Sequence, residues 1–154
     1  MKQRMNLRDV APDAYRAFLA AEKVLNESGL DPLVWHLVKL RASQMNGCLY
    51  CIDMHVHEAL ADGETPDRLH QLPAWRESLL YTEAERAALA YTEAATRLGA
   101  DGVPDAVWDE MTGHFSERDQ GTLVALVAMI NLWNRVCVPT RVRPPARPVP
   151  ASRA

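Results

Sequence analysis

The stretch Asn46-Gly47-Cys48-Leu49-Tyr50-Cys51-Ile52-Asp53-Met54-His55-Val56-His57 holds two of the three cysteines and two of the five histidines in the chain. A Cys-x-x-Cys pair can close a small disulfide loop, and its thiols ionise readily at a helix N-terminus. The chemistry on offer is therefore reversible gain and loss of electrons at sulfur. At about 100° per residue, a helix that begins at Cys48 puts Cys51 about 60° from it and His55 within about 20°, which places all three on one face. His55, one turn beyond Cys51, is then able to take its proton, directly or through a water, and to stabilise the thiolate. His57 falls off that face.

Two plainer readings compete. Free cysteines are often small buried hydrophobes, and Cys48, Cys51 and a histidine are also zinc-ligand types. A closed zinc site needs further ligands, for which Cys137, His36, His70 and His114 remain. The Cys-x-x-Cys-x-x-x-His spacing favours the redox reading over both, so no metal and no cofactor is expected. A c-type haem requires histidine directly after the second cysteine, where Ile52 stands.

The elements that must position these residues read as helices. Pro12-Asp13 opens a pattern of Tyr15, Phe18, Leu19, Glu22 and Leu25 that Gly29 closes, the outline of a covering helix. Asp31-Pro32 starts a second, with Leu33, Leu37, Leu40 and Gln44 on one face and His36, Leu40 and Ser43 on the next, up to Gly47. The cysteine helix follows to Ala61-Asp62-Gly63, and Thr65-Pro66 begins a short one that Pro73 interrupts. Thr82-Glu83-Ala84-Glu85 has the form of a capping box before an Ala-rich helix that ends at Gly99. Val103-Pro104-Asp105 to Gly113 gives a shorter helix.

From Gly121 to Val138 the chain is apolar on nearly all sides, so this helix must be enclosed by protein, with other subunits the better account of its cover. Its uninterrupted apolar part ends at Asn131 after about ten residues, short of the roughly twenty that span a bilayer, so no membrane association is expected. Cys137 reads here as a packing residue. After Pro139 the chain turns Pro- and Arg-rich, and residues 139–154 read as a tail that is extended and disordered, or laid across a neighbour. No run alternates at period two, so the fold class is all-α: one helical domain over residues 1–138, followed by the tail.

Composition sets the remaining bounds. At 154 residues the chain supports one core of its own. The start, Met1-Lys2-Gln3-Arg4-Met5-Asn6, has no apolar run behind it, so a reducing cytoplasm is the expected location, where a Cys-x-x-Cys pair points to catalysis or metal binding rather than a structural clamp. A formal net charge of −3 and a pI near 5.9 leave no electrostatic footprint for nucleic acid.

With Lys39-Leu40-Arg41-Ala42-Ser43-Gln44-Met45-Asn46-Gly47-Cys48-Leu49-Tyr50-Cys51-Ile52-Asp53-Met54-His55 read as one block, the sequence resembles the alkyl hydroperoxidase D-like branch of the carboxymuconolactone decarboxylase superfamily. Ala84-Glu85-Arg86-Ala87-Ala88-Leu89-Ala90 and Ile130-Asn131-Leu132-Trp133-Asn134-Arg135 are similar to later segments of that family, and the likeness covers residues 10 to 138. The resemblance implies a bundle built on an antiparallel helix pair and assembled into trimers, hexamers or similar homo-oligomeric rings. It implies a thiol peroxidase or disulfide reductase activity on organic hydroperoxides or H2O2, with Cys51 attacking, His55 activating it and Cys48 resolving the sulfenic acid to a disulfide. An external dithiol, a lipoyl group or a small redox protein, would restore the thiols.

Helix-dipole reasoning alone favours Cys48 as the thiolate. The family's relay also uses a glutamate twelve residues before the first cysteine, and here that place holds His36. His36 is either a relay member of altered charge or a core histidine bonded to a backbone carbonyl. On the first view, His36→Glu raises turnover. The alternative to an enzyme is a redox-sensing or thiol-disulfide exchange protein without peroxide turnover. All of these readings require sulfurs that solvent can reach.

Overall fold

The computed structural model describes residues 2–147, so the calls on Pro148, Pro150 and Arg153 in the tail lie outside the described residues. Helices follow the punctuation of the sequence: α1 (Leu7–Val10), α2 (Pro12–Asn26), α3 (Pro32–Met45), α4 (Leu49–Ala61), α5 (Pro66–Gln71), α6 (Glu83–Thr96), α7 (Asp105–His114) and α8 (Glu117–Thr140). There is no β-strand among the described residues, and the all-α expectation holds. Three helices carry Pro in their first turn, and Asp31 caps α3 by accepting from the backbone N–H groups of Leu33 and Val34. The Thr82–Glu85 capping box forms in full: Thr82 Oγ1 accepts from Glu85 N at 3.2 Å, and Glu85 Oε2 accepts from Thr82 N at 2.7 Å. Pro73 sits inside a short 3-10 turn, Leu72–Ala74, that ends α5.

The centre is the α3–α4 pair. Asn46, Gly47 and Cys48 are all that joins the two helices, and Gly47 takes the left-handed φ of +64° that so tight a reversal needs. His36 near the start of α3 bonds Asp62 at the end of α4, so the two run antiparallel. α8 lies across this pair and α6, with Leu123, Leu126, Val127 and Ile130 buried; the first three share a cluster with Val34, Val38, Ala88, Tyr91 and Met111. α2 covers the same region through Tyr15 and Phe18, whose rings stand edge-on to Trp133 at 5.7 and 5.9 Å.

Two details depart from the sequence reading. α8 begins at Glu117 and continues through Pro139 to Thr140, because a proline near a helix end forfeits few rungs of the ladder; Arg141, at φ 57°, ends it. Over this full length α8 is apolar and long enough to cross a membrane by those criteria alone. Its protein-facing side nevertheless carries Thr122, Asn131 and Asn134, each hydrogen-bonded, which is how a core helix is built. The other departure is in the tail, where the guanidinium of Arg147 pairs with the carboxylate of Asp53 on α4 of the same chain.

Candidate active site

Cys48 is the N-cap residue of α4, and Cys51 and His55 follow on the same helix, as the spacing predicts. The structure adds a third sulfur. Cys137 reaches in from the end of α8, and the Sγ atoms of Cys48, Cys51 and Cys137 all lie within 4.8 Å of one another. All three are free thiols and all are buried, Cys48 and Cys51 at 1% exposure and Cys137 at 8%. The thiol pair is therefore not open on the surface. Its route to solvent is a cavity of about 660 Å³ that Cys51 and Cys137 line, and whose wall continues past Trp35, Met54 and Trp133 to the exposed Asn26 and Leu19. Cys48 lies behind that wall.

A polar clamp holds the cluster together. Nδ2 of Asn46, two residues before Cys48, donates to Oδ1 of Asn131 (2.9 Å) and Oδ1 of Asn134 (2.8 Å), while Nδ2 of Asn134 donates to Ser43 Oγ at 3.2 Å. The α3–α4 turn is thereby fastened to α8. Such a bonded core network fixes one relative position of two helices, and here that position sets Cys137 against the Cys-x-x-Cys pair.

The thiols share their protons unequally. The thiols of Cys137 and Cys51 turned toward Cys48, with the Cys51 backbone N–H and the Asn134 side chain, hold the Cys48 thiol far below the usual range, at about 3. Cys51 is pushed up because Cys137 and Cys48 keep its proton in use and because it is buried. Cys137 rises to about 12, chiefly through Cys48. The sulfur that carries the charge is thus the N-cap Cys48, as the helix dipole argues, while the sulfur that meets the cavity is Cys51.

His55 is 1% exposed, and burial lowers its pKa, so it is neutral at pH 7. Its Nδ1 donates to Glu58 Oε2 at 2.8 Å, and that bond draws Glu58 below the usual carboxylate range. Nε2 is buried and without a hydrogen-bond partner. His36, 5% exposed, pairs through Nε2 with Asp62 Oδ2 at 2.7 Å and leaves Nδ1 without a partner. It is neither solvent-facing nor satisfied by a backbone carbonyl. Both histidines line the cavity, each oriented by a carboxylate from the last turns of α4. Glu58 and Asp62 were not singled out in the sequence; the i+3 step from His55 to Glu58 was the available signal.

Residues 12–94 match the Carboxymuconolactone decarboxylase family. An uncharacterised protein of Bacillus subtilis (strain 168), YdfG, is 36% identical over 138 residues, 90% of this chain and 94% of its own length. A crystal structure of an Agrobacterium tumefaciens protein of unknown function, suggested to be the antioxidant defence protein AhpD, superposes with TM-score 0.91 at 38% identity, over 95% of this chain and all of that one. An uncharacterised peroxidase-related protein from Silicibacter sp. TM1040 superposes with TM-score 0.75 at 26% identity, over 85% of this chain and 70% of that one. The chain belongs to the carboxymuconolactone decarboxylase family, in its alkyl hydroperoxidase D-like branch.

Proposed function

We propose that the protein is a thiol-dependent peroxidase that reduces organic hydroperoxides or H2O2 through a Cys48–Cys51 dithiol/disulfide cycle. The observation that carries this reading is the placement of reduced Cys51 on a cavity wall, with a second thiol behind it and His55, its Nε2 bare, one turn along. Cys51 passes its proton to the Cys48 thiolate or to His55 and attacks one oxygen of the hydroperoxide. The O–O bond breaks, the sulfur becomes sulfenic acid, and His55 or His36 protonates the leaving alkoxide or hydroxide. Cys48 then displaces water from the sulfenic sulfur and closes the disulfide.

The cavity's size suits a small or drug-sized substrate, and its Tyr15, Trp35, Met54 and Trp133 lining suits an apolar alkyl or aryl hydroperoxide over a highly charged one. The depth of the sulfurs favours a slender electron donor such as a lipoyl-type dithiol. A reducing cytoplasm suits three free thiols, and the exposed Val124 and Val138 on α8 suit a homo-oligomer, a trimer or hexamer. The test is dithiol-dependent consumption of an alkyl hydroperoxide. Wild type turns over many times with excess dithiol, Cys51→Ser loses that activity, Cys48→Ser loses part of it, and full wild-type activity in both variants overturns the reading.

A further inference from the structure

Cys137 has no part in the cycle just described, yet it is the one cysteine outside the Cys-x-x-Cys motif and its sulfur sits within 4.8 Å of both others. Its buried neighbours are Ala42, Ile130 and the two motif cysteines themselves, so the Cys137 side chain packs against the redox pair. Two facts set Cys137 apart from Cys48. It shares the cavity wall with Cys51, where Cys48 does not, and it is the most exposed of the three sulfur-bearing residues. It also stands on the last turn of α8, where Pro139 contributes no backbone N–H and so leaves one rung out of the ladder just before the helix ends.

We propose that Cys137 is a second resolving cysteine, which condenses with the oxidised Cys51 to form a cavity-facing Cys51–Cys137 disulfide. The proposal rests on Cys51 being the thiol that hydroperoxide oxidises. Attack by Cys51 leaves a sulfenic acid whose hydroxyl occupies the cavity, beside Cys137. The Cys137 sulfur attacks the Cys51 sulfur, the S–O bond breaks, the hydroxyl leaves as water with the thiol proton, and one S–S bond joins α4 to α8. No oxidant beyond the hydroperoxide is required. The sulfur separation closes to a bond length by side-chain rotation together with a small shift of the α8 end. This disulfide lies where a slender dithiol enters, whereas a Cys48–Cys51 disulfide has one sulfur behind the wall. Two thiols able to trap one sulfenic acid also shorten its exposure to a second hydroperoxide, which would carry it irreversibly to sulfinic acid.

The full chain, reduced and then given one equivalent of cumene hydroperoxide with dimedone present, provides the test, read by thiol counting and by mass mapping of non-reduced peptides. Cys48→Ser is expected to lose both remaining thiols and to yield a Cys51–Cys137 bridge with little dimedone adduct. The Cys48→Ser/Cys137→Ser double variant is expected to accumulate the adduct on Cys51 and to over-oxidise with excess hydroperoxide. Wild-type maps, which decide the matter if Cys48→Ser fails to fold, are expected to contain Cys51–Cys137 alongside Cys48–Cys51. A bridge to Cys137 in neither protein, with Cys48–Cys51 present in wild type, overturns this inference and leaves the peroxidase reading standing. Retention of all three thiols by wild type overturns both.

Discussion

Glu58 Oε2 accepts a hydrogen bond from His55 Nδ1 at 2.8 Å, three residues along one helix, and that bond decides which imidazole nitrogen is bare. An ionised carboxylate can only accept, so the proton stays on Nδ1 and the lone pair of the buried Nε2 is free to take a proton. Removing the imidazole, in His55→Ala, is expected to lower kcat/KM for an alkyl hydroperoxide by about 10²- to 10⁴-fold, the usual range for a general acid–base group. Glu58→Ala is expected to cost less, about 10-fold, because it frees the ring without deleting it.

The same pair predicts a pH signature. Burial lowers the His55 pKa and the bond to Glu58 works the other way, so activity should fall off only below about pH 6.5. Glu58→Gln removes the opposing influence and is expected to move that acid limb to lower pH while reducing the plateau. A kcat/KM profile from pH 5 to 8 reads both changes.

Stability should follow acid in a related way. His55 binds a proton in the unfolded chain at about pH 6.5 but resists it when folded, so the contribution of His55 to stability is complete above about pH 6.5 and is lost progressively below. Glu58, whose folded pKa is lowered chiefly by His55, adds a further loss as pH falls through the carboxylate range. Urea midpoints should rise with pH across pH 7 to 8, because Cys48 is ionised when folded and protonated when unfolded, and should fall more steeply from about 6.5 downward; His55→Gln is expected to remove that added steepness.

The asparagine clamp offers a separate handle on the sulfurs. Asn134→Ala takes away one acceptor of Asn46 and the donor to Ser43, in a buried setting where an orphaned group costs about 1–3 kcal/mol. It also withdraws a group that lowers the Cys48 pKa. Lower stability together with a raised Cys48 pKa, followed by ultraviolet thiolate absorbance, is the expected result.

His36 changes meaning once its surroundings are known. At the relay position the sequence supports two outcomes: a glutamate speeds turnover if His36 is an impaired relay member, and changes nothing if His36 lies outside the path. Asp62 already bonds the His36 ring, and His36 and His55 both act to hold Glu58 ionised. His36→Glu would place a third carboxylate beside Asp62 and Glu58, where the one nearby ammonium, Lys39, is already paired with Glu22, and like charges so placed raise carboxylate pKa values. Turnover should therefore fall.

The parts of this protein legible in its sequence are those that local rules govern. Pro12, Pro32 and Pro66, the Thr82–Glu85 box and Gly47 mark the helix ends, and the Cys48–Cys51–His55 spacing places three groups on α4. The end of α8 escaped because a proline tolerated in a last turn reads locally as a stop. Cys137 escaped for a different reason: its distance from Cys48 is set by how α8 crosses the α3–α4 turn, which the Asn46–Asn134 contact fixes and no spacing along the chain records. The burial of all three sulfurs, with access through one cavity, likewise belongs to tertiary packing.

The most direct measurement is the number of free thiols per chain before and after one equivalent of alkyl hydroperoxide, followed by the rate of peroxide loss when excess lipoyl-type dithiol is added. The account predicts three thiols falling to one, with Cys51 in the bridge, and then many turnovers per chain at a rate set by the dithiol. Three thiols surviving the peroxide, or one round of oxidation with no turnover in excess dithiol, would contradict it.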